Sequence, residues 1–429
     1  MEGIQTNMAN AAILSIGDEL VSGLTVNTNA GWIAAQLAQI GISVQEHVAV
    51  PDSLQAVAAA IRRFTGRVSV LLISGGLGPT EDDVTRAALA DAAGQPLEQD
   101  AEALAGIEAF FRRLNRVMAP SNRLQALRPA TAKTLPNSCG TAPGICMRVG
   151  RTDIFAMPGV PKEMKVMFEQ AVLPELRANA PVAGRVSRVI KFNTYGVGES
   201  AIGQIIADLM KRGTNPTVGT TVHDGLVSVR VYASGSAQEV ETMILEKTAQ
   251  IKERLGPLIF STGDVSLSNV VGDLLTEKKQ TVATAESCTG GLLAQRLTDI
   301  PGSSRYFLRG WIPYANNAKI ADLQVDSDLL DRHGAVSEPV AAVLAENAGR
   351  IAGADWGIGI TGIAGPDGGT LDKPVGLVYI GLASRSRVQV RRCQFAGDRN
   401  GVRLRAADMA LSLLRLAMLD LDADAVFKI

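Results

Sequence analysis

The chain alternates twice between short apolar runs and amphipathic stretches of helical spacing, which leaves few architectures open. From Ala11 to about Leu176 the runs AAILSIG, SVQEHVAV and VSVLLISGG are separated by NTNAGWIAAQLAQIG, SLQAVAAAIRRFTG and DDVTRAALADAAG. Short apolar strands joined by amphipathic helices predict a mainly parallel sheet covered on both faces. The rhythm returns from about 265 to 425, where SNVVGDLLTEKK leads into QTVATAES, GGLLAQRLTDI, SEPVAAVLAENAGRIAG, WGIGITGIAG, GLVYIGLAS and VQVRRCQF. Between them, VSRVIKFNTYG, ESAIGQIIADLMKRG, LVSVRVYASG and QEVETMILEKTAQIKERLG suggest a small α+β domain, bounded by Pro181 and the turn-rich STGD at 261–264. The predicted fold class is α/β, with α/β layer domains over 1–176 and 265–429 joined by the α+β segment 183–262.

Composition narrows the function classes. A chain of 429 residues with 46% apolar and 20% charged residues can bury several cores, and its net charge of −1 gives no field favouring nucleic acid or an anionic membrane. The start, MEGIQTNMANAAILSIGDEL, lacks the basic flank and long apolar core of a signal peptide, and no apolar run is long enough to span a bilayer. The four cysteines form no CxxC pair and no zinc spacing. These features predict a cytoplasmic protein without disulfides.

Two stretches carry chemistry. In VSVLLISGGLGPTEDDVTR a strand passes through a glycine-rich loop into a helix. Gly75, Gly76 and Gly78 let backbone N–H groups approach a ligand, the helix start favours a phosphate, and Thr80 can cap that helix. Asp82 and Asp83 would repel a phosphate unless a divalent cation lies between them. An ordinary helix start with acids complementing the dipole fits the same letters. In TAESCTGG a strand ends at Ser287 and a helix is expected near Thr289, which presents a nucleophile at the sheet edge beside backbone N–H groups. Ser287 could equally be a plain N-cap. Cys288 points the opposite way from Ser287, so at most one faces a pocket. His333 precedes a capping box at Ser337 and reads as structural, whereas Tyr314 and Lys319 of WIPYANNAKI follow a strand and can take a serine proton.

The blocks GDEL, NTNAGWIAAQL, SGGLGPTEDDVTR, PSNRLQAL, NSCGTAPGI and AMPGVPKEM resemble the N-terminal domain of the CinA family, whose fold is similar to molybdopterin-binding domains. That resemblance implies metal-dependent hydrolysis of ADP-ribose to AMP and ribose phosphate, with Asp18, Asn27, Gly75, Gly76, Gly78, Thr80, Asp82 and Asp83 as site residues. It also points to GTAPG at 140–144, to Glu163 and to Lys162 against diphosphate charge, although Lys162 also fits a solvated helix-start lysine. The cation's identity is not implied.

TAESCTGG, GWIPYANNAK, HGAVSEP, GITGIAGPDGG, KPVGLVYI and FAGDR are similar to the CinA C-terminal domain, the nicotinamide-mononucleotide (NMN) amidohydrolase PncC. The likeness implies Ser287 as nucleophile with Tyr314 and Lys319, and substrate contacts from Thr289, Gly290, Gly291, Gly362 and Arg399. It implies no cofactor there. Arg399 suits a phosphate but equally an exposed helix start. The family's block is closer to VTYSNEAK, so Pro313, Ala315 and Asn317 depart from it. YGVGES and NPTVGTTVHDGLVSVRV resemble the family's KH-like linker domain, yet no GXXG loop with basic flanks is present, and no nucleic-acid binding is expected. The expected ligands are NMN and ADP-ribose, the expected assembly a homodimer without membrane contact. The rival reading is a non-catalytic nucleotide-binding or regulatory protein associated with DNA competence.

Overall fold

A computed structural model describes residues 10–179, 185–223 and 225–428. The expected boundary at Pro181 and the first nine residues lie outside the described residues. The chain divides into two compact units, residues 1–188 with 233–242 and residues 189–232 with 243–429.

The first unit is built on a six-stranded sheet. Its order is Ser43–Val50, Asn10–Ile16, Val70–Ser74, Thr152–Met157, Gly144–Val149 and Lys133–Leu135. The first four strands are parallel and the last two antiparallel. Val70–Ser74 is buried throughout because successive side chains feed two cores. Leu71 and Ile73 pack with Val57, Ile61 and Leu89, while Val70 and Leu72 pack with Ile33, Leu37 and Phe168. This doubly covered sheet is what an apolar run without polar alternation requires.

Four strands, most of whose residues fall in the second unit, form one sheet in the order Thr217–His223, Leu226–Ser236, Arg185–Thr194 and Ile259–Thr262, its two outer pairs antiparallel. The expected helix over ESAIGQIIADLMKRG is shorter, running from Glu199 to Ile205 before a single 3-10 turn at Ala207–Leu209. A five-stranded sheet follows, ordered Phe307–Trp311, Val282–Glu286, Trp356–Gly362, Leu377–Ser384 and Val388–Gln394. Its first three strands run parallel and the rest antiparallel. Ala283 and Ala285 face Val340 and Leu344 of the helix Glu338–Ala352, and Val282 faces the opposite core with Val402 and Ala406. No helix among the described residues is long and apolar enough to cross a membrane.

The helix Glu338–Ala352 lies so close to the strand Trp356–Gly362 that no side chain fits at Gly359. A Cβ at Gly359 would sit 2.5 Å from both Ala341 O and Ala345 N. These are backbone atoms of one helix and cannot yield separately. Gly359→Ala is therefore expected to lower the unfolding free energy by about 3 kcal/mol, read from urea unfolding. An unchanged midpoint would mean that helix and sheet are less tightly seated.

Candidate active sites

Ser287 follows the buried strand Val282–Glu286, and its N–H donates to Ile360 O at 2.9 Å. The chain then turns through Cys288, Thr289, Gly290 and Gly291 before the helix Leu292–Thr298. Gly290 and Gly291 have φ of 59° and 90°, which residues with a Cβ adopt only at a cost. These two glycines delay the helix from the expected Thr289 to Leu292, so Ser287 sits in the turn and is not an N-cap. Capping falls to Glu286, whose buried carboxylate accepts from the N–H groups of Leu293 at 3.0 Å and Ala294 at 2.8 Å. That contact satisfies orphan amides and places negative charge at the positive helix end.

Lys319 reaches the turn from the helix Asn316–Leu323. It is 1% exposed, and its Nζ lies 3.3 Å from Ser287 Oγ, 2.9 Å from Pro313 O and 3.2 Å from Tyr314 O. All three partners are uncharged. Burial lowers the Lys319 pKa, with an opposing influence from Cys288. An amine so placed can accept a proton from the serine hydroxyl.

Tyr314 meets Lys319 through its backbone carbonyl, not its phenol. The ring is 58% exposed, and the hydroxyl accepts from Arg399 Nη2 at 2.9 Å. Arg399 is further fixed by Gly365 O at 2.8 Å from its Nη1. The sequence reading missed Arg403, whose Nε and Nη2 donate to Thr289 O at 3.2 and 2.7 Å. Arg399 and Arg403 stand four residues apart in the helix Arg399–Met418 and so share a face, a spacing visible in the letters. They border a cavity of about 600 Å³ with Gly365, Asp398 and Asn400. Thr289 is buried, its Oγ1 without a hydrogen-bond partner among the described residues. Gly362 ends the strand Trp356–Gly362, where a Cβ would lie 2.7 Å from Leu377 O, so strand packing explains it.

The glycine loop of the first unit is arranged differently from expectation. Gly75 N–H donates to Met157 O at 3.0 Å. The Asp83 carboxylate accepts from Gly78 N–H at 2.6 Å, Thr80 N–H at 2.9 Å and Thr80 Oγ1 at 2.5 Å. Asp83 therefore ties its own loop and consumes amides that a phosphate would need. Thr80 does not cap a helix: the helix runs Thr85–Ala93 with Val84 at its N-cap. Buried Arg86 donates to Leu77 O at 2.7 Å and Gly78 O at 2.6 Å, which fixes the loop from beneath.

The remaining expected residues divide between structure and cavity. Asn27 caps the helix Thr28–Gln39, accepting from Ala30 N–H at 3.0 Å and donating to Ser15 Oγ at 2.8 Å, so both ends of its amide are engaged. Asp18 Oδ1 accepts from Asp52 N–H at 3.2 Å, and Asp52 Oδ2 accepts from Asp18 N–H at 2.9 Å. Burial raises the Asp52 pKa, as do the charges of Asp18, Glu19 and Asp82, against the lowering effect of the Asp18 N–H. Asp82 is exposed beside this acidic rim. A cavity of about 400 Å³ opens here, lined by Gly75, Gly76, Gly78, Asp83, Gln125 and Glu163 among others. Lys162 is exposed on the helix Pro161–Met167, and Glu163 lines the cavity in its place. The described residues hold no group of three or more His, Cys, Asp or Glu that could bind a metal ion, so Asp82 and Asp83 do not form a cation cage by themselves.

A molybdopterin-binding-type α/β domain, a KH-type domain and a second α/β domain with a buried lysine against a strand-end serine define a class of protein. Family models match on the same lines: a probable molybdopterin binding domain over residues 12–178, the damage-inducible protein CinA KH domain over 187–261 and the CinA C-terminal domain over 264–418. A CinA-like protein of Geobacter sp. (strain M21) is 42% identical over 409 residues, covering 95% of this chain and 97% of that protein. A CinA-like protein of Citrifermentans bemidjiense is 41% identical over 409 residues with the same coverage. A solved structure, the competence/damage inducible protein CihA from Agrobacterium tumefaciens, is 38% identical over 36% of this chain and 93% of that chain, with a TM-score of 0.35. The chain belongs to the CinA family.

The four cysteines are free. Burial pushes the Cys288 thiol up to about 12, and the thiols of Cys146 and Cys393 to about 11. Only the thiolate alkylates. Iodoacetamide at neutral pH should therefore modify Cys139 first and Cys288 on the order of a thousandfold more slowly than a free thiol, by peptide mass mapping. Rapid labelling of Cys288 would show an open, activated thiol and return it to contention as the nucleophile.

Proposed function

We propose that the C-terminal domain hydrolyses the carboxamide of NMN to nicotinate mononucleotide and ammonia. The observation that carries this reading is the buried Lys319 amine beside Ser287, with uncharged partners only. Neutral Lys319 takes the hydroxyl proton as Ser287 Oγ attacks the carboxamide carbon. The proton passes to the amide nitrogen, the C–N bond breaks and ammonia leaves an acyl-serine ester. Lys319 then deprotonates a water, which attacks the ester and releases the carboxylate and the serine. Arg399 and the cavity beside it suit the nucleotide phosphate, because a guanidinium matches phosphate geometry. Tyr314, held by Arg399 at the mouth, orients substrate in this scheme and does not take the serine proton.

Purified protein should release ammonia from NMN. Ser287→Ala should lower the rate at least about 10³-fold, while Cys288→Ala retains most of it. Loss with Cys288→Ala and retention with Ser287→Ala would reverse the assignment.

The base also sets a pH signature. Lys319 works deprotonated, and burial favours that form by lowering its pKa. The rate should therefore rise with pH through the Lys319 pKa and level off below the ordinary lysine value of about 10.4. Lys319→Arg should remove the activity, since a guanidinium stays protonated. A profile flat from pH 6 to 10 would exclude lysine as the base.

For the N-terminal domain the reading is cation-dependent hydrolysis of ADP-ribose, supported by the acidic rim in which Asp52 and Glu19 line the glycine-loop cavity beside Asp18 and Asp82. The acids do not form a cage, and they suit an ion such as Mg²⁺, bound through one or two carboxylates with water and substrate phosphate completing the shell. Asp52 and Asp82 would hold it, and bound there it would neutralise diphosphate charge. ADP-ribose cleavage should stop with chelator and resume with a divalent cation while NMN hydrolysis continues. Cleavage undiminished in excess chelator would remove the cation from the scheme.

A further inference from the structure

A cavity of about 700 Å³ opens at the end of the five-stranded sheet away from Ser287. Its walls are the last turns of the helix Glu338–Ala352 and the hairpin from Ser384 to Val388. The parallel strands Val282–Glu286 and Trp356–Gly362 start here and run to the serine turn, roughly 20 Å away at the usual rise of a strand. Helix and strand meet backbone to backbone at the floor, where a Cβ on Gly349 would lie 3.3 Å from Gly357 N. Nothing in the proposed chemistry of either domain uses this space.

Three guanidinium groups line the cavity, and they are committed unequally. Arg385 pairs with Asp355 at 2.9 Å. Arg350 donates from Nε and Nη2 to Asn347 Oδ1 at 3.3 and 3.1 Å, and from Nη2 to Gln324 Oε1 at 2.6 Å. Its Nη1 has no protein acceptor among the described residues. Arg387 is exposed, and its guanidinium enters no hydrogen bond or ion pair among the described residues. Two arginines with free donors on one cavity suit a phosphate, whose oxygens accept from guanidinium groups in matched pairs. A bare anion fits less well, because Glu346 and the carbonyl end of the helix border the same space. Those acceptors call for hydroxyl donors on the ligand, so the molecule that satisfies both walls is a sugar phosphate.

The cavity is also tied to the elements that carry Ser287 and Lys319. Gln324, the partner of Arg350, is the C-cap of the helix Asn316–Leu323 that bears Lys319. Asn347, which Arg350 also binds, donates to Leu323 O at 2.7 Å on the same helix end. Asp355 Oδ2 accepts from Thr281 N–H at 2.9 Å and Thr281 Oγ1 at 3.0 Å, immediately before the strand that leads to Ser287. Residues of one cavity thus anchor the far ends of both elements that hold the serine–lysine pair. We propose that this cavity is an effector site for a small sugar phosphate, whose binding to Arg350 and Arg387 tightens those two anchors. What the tightening does to catalysis rests on the amidase reading; the binding and the tightening themselves do not.

Ribose 5-phosphate is the probe, added to the full chain with chelator present so that no cation-dependent binding occurs in the N-terminal domain. Hydrogen exchange, read by mass spectrometry, follows the hairpin 384–388, the helix 316–325 and the strand 282–287. All three should exchange several-fold more slowly with the probe bound. Arg387→Ala removes an exposed side chain with no protein partner among the described residues, so the fold should persist. It should raise the probe concentration needed for half protection about tenfold. Protection should survive Arg399→Ala, because that arginine meets Tyr314 and Gly365 at the other end of the sheet. No protection of 384–388 at millimolar probe, or equal protection in Arg387→Ala, overturns the site. Protection of the hairpin without 316–325 and 282–287 overturns the coupling. Protection lost in Arg399→Ala overturns both, since the probe would then act from the Ser287 end. None of these readouts uses NMN hydrolysis, so failure of the amidase reading, shown by absent ammonia release, is a separate result.

Discussion

A lysine amine buried against three uncharged oxygens is the constraint on which the C-terminal site depends. In water an ammonium keeps its proton to about pH 10, and a nearby carboxylate would make it hold the proton still more firmly. Among the described residues Lys319 has no such partner in hydrogen-bond contact: it faces two backbone carbonyls and the Ser287 hydroxyl. Carbonyls position the nitrogen without fixing a positive charge on it. The helix Asn316–Leu323 and the preceding PYA segment are therefore a device for desolvating one amine at one point on the sheet edge.

For that amine to matter, the serine must stay in register with it, and two contacts from elsewhere secure the turn. Glu286 ties the strand end to the helix Leu292–Thr298, and Arg403 holds the Thr289 carbonyl. Removing Glu286 leaves the Leu293 and Ala294 amides without that acceptor, and removing Arg403 leaves the Thr289 carbonyl only the Leu292 N–H at 3.3 Å, so the turn is specified by more than its glycines. The serine and lysine were legible in the sequence because the strand-to-helix turn and a downstream lysine are local patterns. The helix start was misplaced because positive φ at two consecutive glycines belongs to backbone geometry that propensity does not encode. Glu286 was not legible at all: an acid ending a strand gains its role only when a later helix folds back onto it.

The N-terminal loop teaches the complementary lesson. Alternating runs such as VSVLLIS announced a sheet covered on both faces, since a strand without polar positions has nowhere else to go. Glycines beside acids suggested amides free for phosphate, yet Asp83 accepts from the loop's own amides and Arg86 holds its carbonyls. Sequence spacing identifies which donors and acceptors are present, but not which of them satisfy one another. A carboxylate three residues after a threonine closes the loop more cheaply than a distant ligand can, because closing so short a span costs little entropy. Glu163, adjacent to the expected Lys162, shows a similar ambiguity: a helix start fixes that one of two neighbours faces the cavity, and tertiary packing decides which.

The helix Arg399–Met418 extends the same logic across the second unit. Near its start, Arg399 and Arg403 meet Tyr314 and the Ser287 turn. Toward its end, buried Arg415 donates to Pro257 O at 3.0 Å and Ile259 O at 2.8 Å, and between them Arg405 O accepts from the Tyr195 hydroxyl at 2.9 Å. Burial lowers the Arg415 pKa, but a guanidinium still remains protonated, so its charge must be met by those carbonyls wherever the helix sits. Sliding or rotating the helix would break bonds at both ends. The helix is thus fixed along its axis by the KH-type segment at one end and presents its arginines to the serine turn at the other. Positioning of Ser287 is consequently a property of the whole unit, although the residues proposed to perform the chemistry all lie in the last domain.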